Sequence, residues 1–371
     1  MNVIIAAAGT GGHINPGIAI ANKIKEENKD ANITFIGTIR GLENDLVPRA
    51  GYELQRIDCY GIKRKISINN IKNLFKTLHS YKEARNIVKK LNPDIVIGTG
   101  GYICGPVIWA ANKDKIPTML HESNAYPGIA VKFLSSKVNT ILVGFEDAKK
   151  RLPKAKHIVV SGTPTKIKKV DLNEEKKQEI KQSLRIKNDL PIALVYGGSQ
   201  GAKSINNALI GIIENKLNEK YNIVWAAGQG QYEDVKEELE SKGLSVNNIK
   251  NMTILPYIYN MEEVMNLADI IVARSGAMTI TEVAIVGKPA IFIPFPFATE
   301  NHQEYNAKVL ANRGAAKIIL DKDLNQDLLN HEINEIIKDK ELQREMGEKA
   351  NEAAIHNVED KIYNEIKLLI K

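Results

Sequence analysis

A histidine stands at the end of a glycine cluster, where its side chain could accept a proton from a bound ligand. The cluster "GTGGH" (9–13) follows an apolar run that is typical of a buried strand. Glycines between a strand and a helix let an oxygen-rich ligand approach the backbone amides at the helix start. Imidazole titrates near neutral pH, so His13 could act as a general base there. A structural or capping role is the alternative for a lone histidine in this position.

Two more glycine clusters follow apolar runs, in "YGGSQGAKSINNALIG" (196–211) and "RSGAMTITEVAIVG" (274–287). Ser199 in the first could donate to a phosphate, although a tight turn explains the glycines equally well. In the second, Ser275 is predicted to be a helix N-cap and Gly287 to end the same helix. The open amides of that helix would suit a pyrophosphate. Glu282 could bind both hydroxyls of a ribose, with a solvated helix glutamate as the alternative.

The same clusters exclude two common nucleotide sites. Ile14 occupies the place of the third glycine of the dinucleotide fingerprint, and no acidic residue ends the strand "ITFIGT". The Walker A pattern is absent from the sequence, which excludes a P-loop ATPase. The one D-x-D pair of the sequence, Asp321 and Asp323, is predicted to cap a helix rather than to bind a metal. The loops together favour a nucleoside diphosphate that carries a sugar.

Apolar runs of strand length alternate with helical stretches in two series, before and after about residue 162. This alternation predicts an α/β protein with two doubly wound, Rossmann-like domains that face each other across a cleft. In open parallel sheets the ligand lies at the carboxyl ends of the strands, where these glycine clusters fall. The polar stretch 161–179 is predicted to contain the domain boundary.

Composition limits where the protein acts. The 371-residue chain has a net charge of +7 and two cysteines, which suits a reducing cytoplasm. No apolar run approaches the roughly 18 residues that cross a bilayer, and the N-terminus indicates a buried strand, not a signal peptide. Residues 61–90 contain nine Lys or Arg and a single acid, Glu83. A partner with negative charge is therefore expected for that stretch.

Six motifs resemble, in order, those of the bacterial MurG family of N-acetylglucosaminyltransferases. They are "GTGGH", "GTGGYICGP", "HESNAYPG", "GGSQGAKSIN", "RSGAMTITE" and "NHQEYNA", between residue 4 and about 310. The resemblance implies the GT-B fold and inverting transfer of N-acetylglucosamine from UDP-GlcNAc. The acceptor would be the muramoyl 4-hydroxyl of lipid I, a polyprenyl-diphosphate-linked muramoyl-pentapeptide, and the product lipid II for peptidoglycan synthesis.

The resemblance also assigns roles to single residues. His13 is the first choice as general base, Glu122 the second and His121 the third. Tyr102 and Asn206 are candidate contacts to the acceptor or to a phosphate. No obligatory metal is implied, because helix N-termini and nearby cations would stabilise the leaving UDP. The residues that match donor contacts are Thr10, Gly11, Gly12, Asn124, Lys166, Ser199, Ile258, Ala277, Met278, Thr279, Ile280, Thr281, Glu282 and Gln303.

The implied domains are residues 1–162, facing acceptor and membrane, and residues 163–344, binding UDP-GlcNAc, with a helix at about 345–371 packing back on the first.

The stretch 61–79 pairs cations with aliphatic side chains, which favours peripheral binding to the anionic cytoplasmic face of the membrane over nucleic acid. Packing of its helical stripe on the sheet is the alternative. Other cell-wall synthesis proteins are further candidate partners. The predicted membrane face comprises Ile66, Ile68, Ile71, Lys72, Leu74, Phe75, Lys76 and Leu78.

Several positions depart from the family pattern. Ser123 replaces the glutamine of the HEQN motif, Ala8 replaces a glycine, and Asn301 replaces a common aspartate. In "GTPTK" (162–166), Thr163 and Lys166 stand where the family has Asn and Arg, so the charge remains but the planar fork is lost.

The alternative functions kept open are a UDP-GlcNAc 2-epimerase, a GT-B transferase with another lipid acceptor, and an inactive sugar-nucleotide sensor.

Overall fold

The computed structural model of the chain describes residues 1–59, 68–246 and 248–370, and the side chains of all of these except 68–78. Parallel strands and the helices between them make up most of this part of the chain. The central strands of both sheets are almost fully buried, as expected of parallel sheets with helices on both faces. The fold class predicted from the sequence is thus confirmed.

The chain forms two compact units. The first unit comprises Met1–Thr165 together with Ile355–Lys371, and the second comprises Lys166–Ala354. The sequence-based boundaries at 162 and about 345 lie near these positions. The chain therefore leaves the first unit once and returns to it with its last helix.

The first unit contains a parallel sheet whose described residues form seven strands, in the order β3-β2-β1-β4-β5-β6-β7. The strands are β1 (Asn2–Ala7), β2 (Asn32–Thr38), β3 (Glu53–Ile57), β4 (Ile95–Gly100), β5 (Thr118–Glu122), β6 (Thr140–Val143) and β7 (Ile158–Val160). The helices between them are α1 (Gly11–Glu27), α2 (Glu43–Arg49), α3 (Ile68–Leu91), α4 (Cys104–Lys113), α5 (Ile129–Leu134) and α6 (Glu146–Lys149). Each crossover places a helix on the sheet, as parallel pairing requires.

The second unit repeats this plan, and its described residues form a six-stranded parallel sheet in the order β10-β9-β8-β11-β12-β13. Its strands are β8 (Ile192–Tyr196), β9 (Asn222–Ala226), β10 (Met252–Leu255), β11 (Ile270–Ala273), β12 (Ala290–Phe292) and β13 (Ala316–Ile318). Its helices are α7 (Glu174–Ser183), α8 (Lys203–Glu214), α9 (Tyr232–Ser241), α10 (Met261–Leu267), α11 (Ala277–Val286), α12 (His302–Ala311), α13 (Gln326–Ile337) and α14 (Lys340–Glu352). A short 3₁₀ helix, Thr299–Asn301, precedes α12.

The last helix, α15 (Val358–Leu369), packs against α1 in the first unit. Its buried residues Val358, Ile362 and Ile366 join the core that contains Ile14 and Ile24 of α1. Spacing of three to four residues places these side chains on one helix face. Burial of this face explains why the C-terminal segment belongs to the first unit.

Every apolar run that predicted a strand contains one, and among the residues that the structure describes, β3 is the one strand that was not predicted. β3 is the edge strand of its sheet, with Glu53 and Arg56 exposed and only Ile57 fully buried. Because four of its five residues are exposed or only half-buried, its sequence lacks the continuous apolar run on which the prediction depended.

Both sheets change direction at the same point of their strand order. In the first unit β1 lies between β2 and β4, and in the second β8 lies between β9 and β11. Successive crossovers run outward on either side of the central strand, and the loops at its carboxyl end diverge. Ligands of doubly wound sheets bind at such switch points. The glycine clusters after β1 and β8 both lie there.

Candidate active site

The loops after β1 and β4 lie side by side in the first unit. The Ala8 amide donates to the Gly100 carbonyl at 3.3 Å. Gly101 has φ +84°, and a Cβ there would lie 2.6 Å from the Ala8 oxygen. The tetrapeptide GTGG occurs in both loops, at 9–12 and 98–101. The two copies are neighbours because β1 pairs with β4, and glycine permits their backbones to approach.

His13 lies on the first turn of α1 with its ring fixed from two sides. Its Nδ1 is 3.0 Å from the Ala8 carbonyl oxygen. A carbonyl can only accept, so Nδ1 carries the proton and Nε2 of the neutral ring has the free lone pair. The ring lies over Gly100, where a Cβ would come within 2.6 Å of His13 Cγ. The predicted base therefore has its basic nitrogen directed away from the loop that holds it.

The residues of this loop that were predicted to contact the donor occupy the helix start. Thr10 is the extended residue before α1, and Gly11 and Gly12 are its first two residues. The first amides of a helix have no acceptor within it, so they can bind oxygen atoms of a ligand. These three residues lie where the sequence predicted a phosphate-approach loop.

A buried carboxylate that the sequence analysis missed lies beneath this loop. Glu43, the first residue of α2, is fully buried, and its Oε2 accepts the Gly9 amide at 3.0 Å. Its Oε1 accepts the amide and the hydroxyl of Thr38 at 2.8 and 2.7 Å. Burial raises the pKa of this carboxyl, but the hydrogen bonds from Thr38 and Gly9 outweigh it and hold the pKa below the usual range. The carboxylate is therefore ionised and anchors the loop.

No motif identifies Glu43 in the sequence, although its neighbours contain a clue. A Cβ at Gly37 would lie 2.6 Å from Glu43 Cγ, and Gly41 leaves no room for a Cβ beside the carboxylate. Glycines on both sides of an acidic residue thus create the space for its side chain. That relation becomes visible only in three dimensions.

Glu122, the second choice as base, holds the loop after β5. Its Oε1 accepts the amide and the side chain of Asn124 at 2.9 and 3.0 Å, and its Oε2 accepts the Gly128 amide at 2.7 Å. The residue is 6% exposed. Its lone pairs are committed to three donors, which gives Glu122 a structural role in place of the expected basic one. Asn124, the predicted sugar contact, is positioned by this carboxylate.

His121, the third choice as base, is 1% exposed. Its Nε2 donates to the Gly162 carbonyl at 3.0 Å, and its Nδ1 is 3.4 Å from the Ser123 hydroxyl. Burial lowers its pKa to about 4. The ring is neutral, enclosed and bonded through both nitrogens, so it cannot accept a proton from a ligand. Ser123, at the departure from the HEQN pattern, contacts this ring.

Two further predicted residues of the N-terminal motifs lie at the surface of their units. Tyr102, in the loop between β4 and α4, is 42% exposed. Lys166 is exposed at the first position of the second unit. Both side chains are accessible to a ligand, as the predictions require.

In the second unit, α11 begins at Ala277 with Gly276 as its N-cap. The predicted cap, Ser275, is buried and donates instead to the Gln303 carbonyl at 2.8 Å, so that prediction is wrong. Gly287 ends the helix in the left-handed conformation, with φ 67°, as predicted. The Ile280 amide donates to the Gly276 carbonyl at 3.1 Å.

The start of α11 therefore offers fewer groups to a diphosphate than the sequence predicted. The amides of Ala277, Met278 and Thr279 precede the first intrahelical bond and remain open to a ligand. Ile280 is fully buried with its amide in the helix ladder, and Thr281 is 8% exposed. Neither of the last two is placed to bind a phosphate.

Glu282 and Gln303 lie on α11 and α12, which follow the neighbouring strands β11 and β12. Glu282 is half-buried. Burial, together with the nearby Glu282 charge, raises the pKa of the Tyr196 hydroxyl at the end of β8. Gln303 accepts the Phe295 amide through Oε1 at 2.9 Å. This bond fixes the side-chain amide, so its NH₂ group is left to donate.

The remaining donor candidates lie in loops at the carboxyl edge of the same sheet. Ser199 is exposed in the glycine turn after β8. Ile258 follows β10 and is 2% exposed, so its side chain is buried and only its backbone could read a base.

The ion pair of Arg274 and Asp321 connects the strand ends around α11. Arg274 donates to the carbonyls of Ile293 and Pro294 at 3.0 and 3.2 Å and pairs with Asp321 at 2.5 Å. Ser204, near the start of α8, accepts from Arg274 and donates to Asp321. The helix cap predicted for the D-x-D pair is wrong, because Asn325 caps α13. Asp321 instead fixes the guanidinium beside the donor loop.

Asn206, predicted to contact the acceptor or a phosphate, is 2% exposed on α8. Its NH₂ group donates to the Ala227 carbonyl and to Gln231 at 3.0 and 2.9 Å, while its oxygen accepts from Trp225 Nε1 at 3.1 Å. All of its hydrogen bonds are internal, so its role is to hold the turn after β9 and not to contact a ligand.

The predicted membrane face lies outside the described side chains. Ile66 falls in the undescribed range, and the other seven residues lie on the first half of α3, whose side chains are not described. Among the described residues, none of the helices combines the length and apolar character needed to cross a bilayer.

Family models match both halves of the chain. The glycosyltransferase family 28 N-terminal domain matches residues 3–143, and the family 28 C-terminal domain matches residues 192–362. A relative from Ruminiclostridium cellulolyticum is 38% identical over 370 residues, which is 100% of either chain. It is named "UDP-N-acetylglucosamine--N-acetylmuramyl-(pentapeptide) pyrophosphoryl-undecaprenol N-acetylglucosamine transferase".

Solved structures agree with the family models. The crystal structure of MurG from Acinetobacter baumannii superposes with a TM-score of 0.79 at 30% identity, over 99% of both chains. A UDP-GlcNAc 2-epimerase from Neisseria meningitidis, bound to UDP-GlcNAc, has a TM-score of 0.65 at 15% identity over 99% of both chains, which is a likeness of fold alone. The chain, with its two Rossmann-like units of the GT-B type, belongs to glycosyltransferase family 28 and, within it, to the MurG family.

Proposed function

We propose that the protein transfers N-acetylglucosamine from UDP-GlcNAc to the lipid-linked muramoyl-pentapeptide, converting lipid I to lipid II. Full-length similarity to a transferase named for this reaction supports the substrates. The observation that carries the chemistry is the orientation of His13, whose Nδ1 proton is bound to Ala8 and whose Nε2 lone pair is free. An inverting transferase needs such a base at the acceptor hydroxyl.

In this proposal, Nε2 of His13 receives the proton that the acceptor hydroxyl loses during the transfer. The muramoyl 4-hydroxyl attacks the anomeric carbon while its proton passes to Nε2 of His13. The bond between the anomeric carbon and the diphosphate oxygen breaks, and UDP leaves with the electron pair. Attack from the face opposite the diphosphate inverts the configuration. Because Nδ1 stays bound to the Ala8 carbonyl, the ring keeps one orientation while it is neutral and while it is protonated.

The donor is held by the second unit in this proposal. The open amides of Ala277, Met278 and Thr279 lie at the positive end of α11 and suit a diphosphate. Glu282 binds the ribose hydroxyls, and the NH₂ group of Gln303 donates to the donor. The Arg274 guanidinium, whose charge is balanced by Asp321, holds the strand ends beside the start of α11.

The leaving UDP needs no obligatory metal in this proposal. Asp321, the first residue of the D-x-D pair, is already engaged by Arg274 and Ser204. A carboxylate that neutralises a guanidinium would have to give up that pair to bind a cation. Transfer is accordingly expected to persist in EDTA.

We also infer that the first unit docks peripherally on an anionic membrane surface. Trp109 on α4 and Phe133 on α5 are 49% and 61% exposed, with ring centroids 6.5 Å apart. A groove of about 930 Å³ beside Trp109 is lined by Lys113, Lys115, Lys137 and Lys156, among other residues. α3, which carries the predicted membrane stripe, packs against α4. Exposed aromatics beside lysines suit a headgroup boundary.

Vesicle sedimentation tests this docking. The protein should pellet with vesicles containing phosphatidylglycerol and not with pure phosphatidylcholine. The double variant Trp109→Ala, Phe133→Ala should remain in the supernatant. Tyr259→Ala, which removes an 86% exposed aromatic of the second unit, is the matched control and should pellet. Equal pelleting of all three proteins would contradict the proposal.

The transfer reaction is tested with labelled UDP-GlcNAc and a short-chain lipid I analogue, in EDTA. Wild-type protein should form the lipid II analogue, and His13→Ala should lower kcat by about 10²- to 10⁴-fold, the usual contribution of a general base. His356→Ala, an exposed histidine, should have the wild-type rate. UDP affinity should survive in both variants. Isomerisation of donor without acceptor, or no product with donor bound, would favour the epimerase or another lipid acceptor.

A further inference from the structure

A single peptide group connects the buried carboxylate of Glu43 to the imidazole of His13. The carbonyl of the Ala8–Gly9 peptide accepts the Nδ1 proton of His13 at 3.0 Å. The amide of the same peptide donates to Glu43 Oε2, also at 3.0 Å. In a trans peptide the N–H and C=O point in opposite directions, so the two partners lie at opposite edges of one peptide group.

The surroundings fix this chain of hydrogen bonds at each link. Glu43 is fully buried, and Thr38 occupies its other oxygen with two donors. The amide of Ala8 donates to Gly100, over which the His13 ring lies. The carbonyl of His13 accepts the Thr99 hydroxyl at 2.8 Å. Carboxylate, peptide and imidazole are thus held in place by three separate strand ends.

Hydrogen bonds in series polarise one another, most of all when one partner is charged and buried. A carboxylate on the amide shifts electron density of the peptide toward its carbonyl oxygen. That oxygen then holds the Nδ1 proton of His13 more tightly. The result is the arrangement in which a carboxylate orients a catalytic histidine and stabilises its charged form, with a peptide group between the two.

We propose that Glu43 is a positioning residue that acts on His13 through the Ala8–Gly9 peptide. It selects the tautomer with a free Nε2 and stabilises the imidazolium that forms when the acceptor hydroxyl is deprotonated. The proposal rests on the proposed function only in naming His13 as the base. The tautomer of the ring is a property of the free protein.

Glu43→Gln separates this role from simple packing. The glutamine keeps the shape and can still accept from Thr38 through its oxygen, but its NH₂ group then faces the Gly9 amide. The kcat for transfer should fall about 10-fold, as for other partners that orient a functional histidine, while the KM for UDP-GlcNAc stays nearly unchanged. In a His13→Ala background the same substitution should cause no further loss of kcat. An equal loss in both backgrounds would overturn the proposal.

The imidazole spectrum of ¹⁵N-labelled protein gives a second readout that needs no substrate. Neutral His13 should carry its proton on Nδ1 in the wild type, and the share of this tautomer should fall in Glu43→Gln. Thr38→Val is the matched control: it removes a hydrogen bond to the same carboxylate but keeps the Gly9 bond, so the tautomer should not change. An unchanged tautomer in Glu43→Gln would overturn the proposal.

A second variant, Glu43→Asp, covers the case in which Glu43→Gln does not fold. If Glu43→Gln does not fold, Glu43→Asp gives the same readouts, because its shorter side chain withdraws the carboxylate from the Gly9 amide while the charge remains. Failure of the wild-type protein to transfer GlcNAc would refute the proposed function alone. The tautomer measurement would still decide whether Glu43 controls His13.

Discussion

The two units share one strand order and place glycine loops at the same switch point, yet charged side chains of opposite sign bind the backbone at their strand ends. In the first unit buried carboxylates, Glu43 and Glu122, accept backbone amides. In the second, the Arg274 guanidinium donates to the carbonyls at the end of β12 and pairs with Asp321. The common topology therefore does not determine how a loop is held.

The difference corresponds to the chemistry proposed for each unit. A buried carboxylate accepts the Gly9 amide, and the carbonyl of the same peptide accepts from Nδ1 of His13, the proposed general base. The N-terminal end of α11, beside the Arg274–Asp321 pair, suits the diphosphate proposed for the donor. The same topology can thus serve a proposed base in one unit and a proposed anion site in the other, with different buried charges at the strand ends.

The largest expected effect comes from removing the Arg274 guanidinium, which holds together the strand ends around α11. Arg274→Met should lower the free energy of unfolding by about 3 kcal/mol or more, because Asp321 would remain without its cation in a mostly buried place. Urea unfolding, with hydrogen exchange followed in residues 166–354, measures it. Arg344→Met, which breaks exposed pairs with Glu341 and Glu348, should cost no more than about 1 kcal/mol. Equal losses of unfolding free energy in the two variants would mean that Arg274 does not hold these strand ends together.

A pH effect is expected in the first unit, from His121. The pKa of this buried ring is lowered from 6.5 to about 4. Between these values the unfolded chain binds a proton that the folded chain does not, so stability should fall as the pH drops from 6.5 toward 4. The loss approaches roughly 3 kcal/mol.

Urea unfolding at pH 7 and pH 5 checks this dependence. His121→Gln, which can still donate to the Gly162 carbonyl, should show a smaller loss between the two pH values than the wild type. His356→Gln, at an exposed position, should behave as the wild type. An identical pH dependence in all three proteins would show that His121 is not held neutral by burial.

The smallest expected effect concerns Asn206. Asn206→Leu leaves the Trp225 N–H and the Ala227 carbonyl unpaired, and should lower the free energy of unfolding by about 1 to 3 kcal/mol. UDP affinity should be unchanged, since the hydrogen bonds of this side chain are internal to the second unit. Asn312→Leu, at an exposed position, is the control for stability. A weaker UDP affinity would favour the original prediction that Asn206 contacts a phosphate.

The strands were predictable because burial on both faces selects continuous apolar runs. The edge strand β3 lacks such a run and was missed. The wrong predictions concern side chains that have two local options. Ser275 has the residue type of a cap, but its hydroxyl bonds to the Gln303 carbonyl, and Asp321 bonds to Arg274 instead of opening α13. A cap competes with partners from distant segments, which no local pattern contains.

The candidate site was predicted in part for the same reason. The glycine clusters and the position of His13 follow from local requirements on backbone and helix start. The commitment of Glu122, His121 and Asn206 to internal bonds follows from burial, which depends on what packs around each residue. Residue type alone assigned all three to catalysis or binding.

The sequence by itself determined the strand and helix alternation, the glycine loops, the start of α1 and the family, because each is written in contiguous residues. Only the tertiary structure decided that Glu43 and His13 bond to the same peptide group. Glu43 lies 34 residues after Gly9 in the chain, although its carboxylate accepts the Gly9 amide. The physical reason is that a parallel sheet brings the carboxyl ends of distant strands to one edge. Which polar groups meet there depends on strand order, and strand order is a property of the folded chain.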